Sequence, residues 1–117
     1  MPINVKRVYS PAGKEDGIRV LVDRVWPRGM RKEQLQVDLW LKDAAPSTAL
    51  RKWFGHDPSR WIPFKKSYFR ELEERPQAVQ QLLELAAAGR LTLLFSARDM
   101  DHNQAVALKE YLERIRK

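Results

Sequence analysis

Three groups of residues in this 117-residue chain have the types and spacing to do chemistry. The first is Asp23-Arg24-Val25-Trp26-Pro27-Arg28-Gly29, with a carboxylate, two guanidiniums and an indole close together. Arginine offers a planar fork that grips carboxylate or phosphate through two bonds, and a tryptophan beside it can stack on a ring. Pro27 biases Trp26 towards extended backbone, and Gly29 permits a turn that a Cβ would resist. The second group is Ser96, Arg98, Asp99 and Asn103, polar residues that precede a helical pattern, where free amides and the helix dipole favour an anion. The third is Arg51, Trp53, His56 and Asp57, in which His56 titrates near neutrality and can serve as acid or base.

Each group has a plainer structural reading. Asp23 can brace its own arginines, Asp99 or Asp101 can cap a helix with Arg98 in water, and His56 can be a turn residue beside an N-capping Asp57. Ligand binding outweighs bracing for the first loop, because a loop pinned only for stability does not need two arginines. The expected ligand contacts are therefore Arg24, Trp26, Arg28, Arg51, Ser96, Arg98 and Asn103, with Asp23, Asp99 and His56 as acid/base candidates. Asp23, Asp43 and Asp99 could pair as acids, but salt bridges to the arginines are the stronger reading. A metal site is not expected, since there are two histidines, no cysteine and no ligand pair at helical spacing. No phosphate-cradling glycine loop, nucleophile elbow or dinucleotide fingerprint is present.

The elements that must position these groups follow from apolar patterning. Val20 and its neighbours, Ile18 to Val22, read as a buried strand that breaks directly into the first loop. Asn4 to Val8 reads as a short first strand; it can form a hairpin with the second across Asp16-Gly17, or the second can lie deeper in a mixed sheet. Arg31 to Gln36 has helical composition. Val37 to Leu41 alternates and reads as a strand, placing Val37, Leu39 and Leu41 on one face and Trp40 on the other as a partly exposed indole or lid. Ser47 caps a helix from Thr48 to Phe54 that buries Leu50, Trp53 and Phe54 and ends at Gly55. Asp57 and Pro58 start another, whose Trp61, Phe64, Tyr68 and Leu72 share a face, with a break expected at Pro63. After Pro76 comes a helix with Val79, Leu82, Leu83 and Ala86 inward, closed by Gly89. Leu91 to Phe95 reads as a central strand covered on both faces. Asp101 with Gln104 resembles a capping box for the last helix, which turns Ala105, Leu108, Leu112 and Ile115 to the core. Residues 1–117 thus read as a single α/β domain, a layered fold with a short mixed or mostly parallel sheet of about four strands flanked by helices. If the strands at Ile18 and Leu91 are parallel neighbours, Arg24, Arg28 and Arg98 open on one sheet edge.

The composition narrows the partners. Twenty-two Lys and Arg against 15 Asp and Glu leave a formal charge of +7, which favours phosphates, carboxylates or nucleic acid. The absence of cysteine removes disulfides and thiolate chemistry. No membrane span and no apolar signal core after Met1 are found, so a cytoplasmic protein is expected.

Four motifs, in order, carry a resemblance: Leu-Val-Asp-Arg-Val-Trp-Pro-Arg-Gly, Trp-Leu-Lys-Asp-Ala-Ala-Pro-Ser, Leu-Arg-Lys-Trp-Phe-Gly-His-Asp-Pro, and Leu-Thr-Leu-Leu-Phe-Ser-Ala-Arg-Asp followed by Asn103. Over nearly its whole length the chain resembles the YeaO-like family, domain of unknown function 488. That resemblance implies a small bacterial α/β protein and carries no reaction with it. The function expected from the residues is binding of a phosphorylated or carboxylated small molecule, nucleotide-like ligands included, in an Arg/Trp-lined cleft. Whether it is an enzyme, and with what cofactor, stays open. The rival readings are nucleic-acid binding, which a basic groove with stacking aromatics allows, and a non-catalytic interaction module. The chain is expected to be a monomer or, with Trp40 exposed, a homodimer.

Arg28 separates a clamp from a brace. As a clamp, Arg28→Lys should lower affinity for an anionic ligand while stability moves by less than about 0.5 kcal/mol. As a buried brace, the same change should cost roughly 3–5 kcal/mol. Thermal melting and ligand titration of the variant read both.

Overall fold

The computed structural model describes residues 3–116. Four strands, β1 (Ile3–Arg7), β2 (Ile18–Leu21), β3 (Leu39–Trp40) and β4 (Leu91–Phe95), form one sheet in the order β1-β4-β2-β3. Every neighbouring pair is parallel, with Leu93 opposite both Val5 and Val20, and Val20 also opposite Leu39. The sheet is therefore wholly parallel, and β1 and β2 do not form a hairpin. All five residues of β4 are buried, and such a strand is satisfied by pairing on both sides.

Alternation along the strands divides the core. Val20, Val22, Leu91, Leu93 and Phe95 join the larger cluster, whereas Leu21 and Leu94 join a smaller one with Val8 and Leu35. The larger side is covered by helices α2 (Thr48–Phe54), α3 (Trp61–Glu73), α4 (Pro76–Ala88) and α5 (Gln104–Ile115). Phe64, Tyr68 and Leu72 of α3, Val79, Leu82 and Ala86 of α4, and Ala105, Leu108 and Leu112 of α5 are its buried faces. The smaller side has only the short helix α1 (Lys32–Leu35), with Trp26, Met30, Val37 and Trp40 packed against it.

The chain from β1 to β2 crosses with only a 3-10 turn, Lys14–Asp16, and no α-helix, so polar residues do part of the work there. Asp16 accepts from Lys6 Nζ at 3.1 Å and from Arg19 Nη1 at 2.5 Å, and Arg19 Nη2 donates to Leu35 O at 2.7 Å. Thr92 Oγ1 donates to Asp16 O at 2.7 Å. Burial pushes the Asp16 carboxyl up, but the Gly13 amide, Lys6 and Arg19 outweigh it and hold it below the ordinary aspartate value.

Several element ends follow the local chemistry. Ser47 caps α2 by accepting from the Leu50 amide at 3.2 Å, and Gly55 closes it in the left-handed region at φ 54°. Asp57 caps a 3-10 turn with Pro58 at its first position. Other expectations are corrected. Pro63 does not break the helix, because it lies in the first turn of α3, where no amide partner is needed. The cap of α5 is Asn103, whose Oδ1 accepts from the Val106 amide at 3.0 Å, and not Asp101. Trp53 is 44% exposed and packs under Arg60 instead of entering the core, and Ile115 is also exposed. The expected strand at Val37 shrinks to Leu39–Trp40, and Val37 turns to the smaller cluster while Leu39 and Leu41 face the larger. Only the stretch in register with β2 finds ladder partners.

Gly17 sets the entry to β2. At φ 66° its missing Cβ would lie 2.2 Å from Arg90 O, against the backbone that leads into β4. Gly17→Ala should therefore destabilise the protein by at least about 2 kcal/mol through strain and displaced backbone. Urea unfolding measures it; a change within about 0.5 kcal/mol would show that the two strand starts slide apart freely.

Candidate functional site

A cleft of about 420 Å³ opens at the carboxyl ends of β2 and β4. This is where open parallel α/β sheets place ligands, because the loops leave the strands there with their side chains directed outward. Its lining includes Asp23, Arg24, Trp26 and Arg28 from the loop after β2, and Ser96, Asn103 and Gln104 from the segment after β4. Arg51, Lys52, Phe54 and His56 come from α2 and the turn that follows it.

Asp23 is the buried floor of this cleft. Its Oδ2 accepts from the Ser96 amide at 3.0 Å and from the Ser96 hydroxyl at 2.7 Å, and its Oδ1 accepts from Gln104 Nε2. Its backbone carbonyl accepts from Trp40 Nε1 at 2.7 Å. Burial pushes the Asp23 carboxyl up. The Ser96 hydrogen bonds and the charges of Arg51 and His56 pull the other way, and the net shift is upward.

The arginines divide by what they hold. Arg24 Nε donates to Pro46 O at 3.1 Å and its Nη2 to Ala45 O at 3.3 Å, so its guanidinium braces the turn before α2. Arg75 grips the same turn from the other side, donating to Asp43 O at 2.8 Å and Ala45 O at 2.5 Å. Arg28 and Arg51, in contrast, are exposed, and among the described residues their side chains make no hydrogen bond or ion pair. Arg28 is held through its backbone, whose carbonyl accepts from Tyr9 Oη at 3.1 Å. Trp26 has its indole nitrogen committed to Met30 O at 2.7 Å and its ring edge-on to Trp40, 5.3 Å between centroids. It shapes the loop as well as the cleft wall. Trp40, expected as an exposed indole or lid, is half-buried under Lys42 and braces Asp23.

Arg98 and Asp99 do not line the cleft. Asp99 turns inward on its own loop, accepting from the amides of Asp101 at 2.9 Å and His102 at 3.1 Å and pairing with His102 Nδ1 at 2.9 Å. The Asp101 amide and the His102 side chain hold its carboxyl below the ordinary value. Tyr9, Lys52 and His102 line the cleft without having been expected there, and Gln104, expected only as a cap partner, donates to Asp23 at its floor. Lys52 and His102 sit next to residues already singled out; Tyr9 carries no local signal. His56 has φ 58°, a left-handed backbone uncommon for a residue with a Cβ, immediately after the left-handed Gly55. Among the described residues no group of three or more His, Cys, Asp or Glu could hold a metal, and no helix is long and apolar enough to cross a membrane.

Fold and cleft together define a small α/β protein with a parallel sheet and a basic cleft at its carboxyl edge. Residues 2–116 match the family model described as "Inactive DUF488-N3 subclade", and the chain belongs to this YeaO-like branch of the DUF488 family. It is 42% identical over 115 residues to "Uncharacterized protein YeaO" of Escherichia coli K12, covering 98% of this chain and 100% of that protein. It is 38% identical over 110 residues to an uncharacterised protein of Mycobacterium tuberculosis H37Rv, with 94% of this chain and 92% of that protein covered. A Mycobacterium bovis protein gives the same identity and coverage. No solved structure matches the chain significantly.

The two aspartates should titrate in opposite senses. Asp16, lowered in the fold, stabilises above its unfolded pKa, and that contribution is lost as pH falls through its folded value. Asp23, raised in the fold, favours folding below the ordinary carboxylate range and loses that contribution as pH rises through its folded value. Carbon-detected NMR titration should place the Asp23 midpoint above that of Asp16, and Arg51→Ala should move Asp23 higher still. An unmoved Asp23 midpoint in that variant would mean that Arg51 does not face the cleft floor.

Proposed function

We propose that this protein binds an anionic small molecule, phosphorylated or carboxylated, in the cleft above Asp23, as a binding protein and not as an enzyme. One observation carries the reading. Arg24, Arg28, Arg51 and Lys52 line the cleft against a single carboxylate, and Arg28, Arg51 and Lys52 have no acidic partner among the described residues. Unpaired cations gathered beside low-dielectric walls such as Phe54 and Phe64 attract an anion more strongly than scattered surface charges do. The volume falls in the range of small-molecule sites. One observation favours binding over turnover: the subclade to which the chain belongs is described as inactive.

Inorganic phosphate is the simplest probe. In low salt it should raise the melting temperature of the native protein, and Arg51→Ala should weaken its binding by about tenfold, the loss of one charge-assisted contact. Arg24→Ala should instead destabilise the fold by about 1.5–3 kcal/mol, because its charged hydrogen bonds hold the turn at Ala45. Equal phosphate affinity in native protein and Arg51→Ala would remove the cleft as the anion site. Tight, steeply salt-dependent binding of an oligonucleotide without any response to phosphate would favour a nucleic-acid partner instead.

A further inference from the structure

The polar atoms at the cleft floor differ from those on its basic wall, and that difference constrains the ligand further. At the floor, the Ser96 hydroxyl gives its only hydrogen to Asp23 Oδ2, so it can offer a ligand nothing but lone pairs. Asp23 Oδ2 already takes two bonds from Ser96, whereas Oδ1 takes one, from Gln104, and keeps one acceptor position. Asn103 donates to Asp99 O at 2.9 Å and accepts from the Val106 amide at 3.0 Å, and Asn103 and Gln104 each keep one amide hydrogen, so the floor offers those donors beside the acceptors of Asp23 and Ser96, a set that matches hydroxyl groups. Around the floor, Arg28, Arg51 and Lys52 can only donate. Asp23, Arg51 and His56 line the same cleft, so floor and basic wall belong to one compartment.

We infer that the cleft selects a bipolar ligand, anionic at one end and rich in hydroxyl donors at the other, as in a polyol or sugar phosphate. Asp23 and Ser96 then act as specificity residues that read the hydroxyl end. A plain anion leaves the floor acceptors unmatched, and an alkyl tail buries them against hydrocarbon. A site built to hydrogen-bond a hydroxyl discriminates far more strongly against a ligand lacking it than an apolar pocket discriminates by size. This inference rests on the proposed anion site, and the test keeps the two apart.

Isothermal titration of the native protein in low salt compares ribitol 5-phosphate, pentyl phosphate and inorganic phosphate. The two esters share the anion and the chain length and differ in the hydroxyls. Ribitol 5-phosphate should bind at least about tenfold tighter than pentyl phosphate, the scale of one buried hydrogen bond gained without a charged group left unmatched. Ser96→Ala should narrow that ratio, because it removes one floor acceptor and loosens Asp23. An equal gain of gluconate over hexanoate supports the same reading with carboxylate as the anion. If both members of a pair bind equally, or the alkyl member binds tighter, the floor does not read hydroxyls and the inference falls while the anion site stands. If no phosphate or carboxylate binds, both fall. Because the ligand series runs on the unaltered chain, a Ser96→Ala protein that fails to fold does not shelter the inference.

Discussion

The carboxylate of Asp23 is the tie on which the carboxyl edge of the sheet depends. It leaves β2, reaches across to the Ser96 amide and hydroxyl at the end of β4, and takes a bond from Gln104 at the start of α5. Through its carbonyl it also holds the indole of Trp40 at the end of β3. Three strand ends and one helix are thus referred to a single residue. Its burial is unfavourable to the charged form, and the upward shift of its carboxyl records that cost. All neighbouring strands here are parallel, so no hairpin joins them at the carboxyl edge, and Asp23 links the loops that leave it.

The two faces of the sheet solve burial differently. On one, helices α2 to α5 supply Phe54, Phe64, Tyr68, Leu82 and Leu108. On the other, the crossing from β1 to β2 has only a 3-10 turn, and the Lys6-Asp16-Arg19 network packs there in place of a longer helix. Arg19 anchors α1 there through the carbonyls of Leu35 and Gln36. Such a network contributes order more surely than net stability, since desolvating its charges offsets much of their attraction.

Arginine performs two jobs in this fold, and backbone carbonyls decide which. Arg7, Arg24 and Arg75 donate to backbone carbonyls of loops, and Arg19 to a carbonyl at the end of α1. Among the described residues the side chains of Arg28 and Arg51 donate to no carbonyl, and both line the cleft. The turn at Asp43 to Ser47 shows the consequence. Arg24, Arg75, the Tyr68 hydroxyl and Glu71 hold it from separate elements, which fixes the start of α2 and with it the position of Arg51 and Lys52.

Much of the local structure was legible in the residues themselves. Ser47, Gly55, Asp57 and Pro58 mark their element ends through side-chain oxygens, a missing Cβ and a fixed φ, all of which act within a few residues. The apolar run Leu91 to Phe95 showed a covered central strand for the same reason, and the loop after Val22 stood out because so many charged and rigid residues share it. What distance decides was not legible. That β4 separates β1 from β2 depends on pairing between residues about seventy or more apart in sequence, which no local pattern encodes. Whether Arg24 or Arg28 faces a ligand depends on where the carbonyls of Ala45 and Pro46 come to rest. Asn103 won the cap over Asp101 because Asp99 had already turned the loop. The sequence by itself determined the elements, their caps and the charged loop at a strand end. Only the tertiary structure decided which of those charges are bound by the fold and which remain to bind something else.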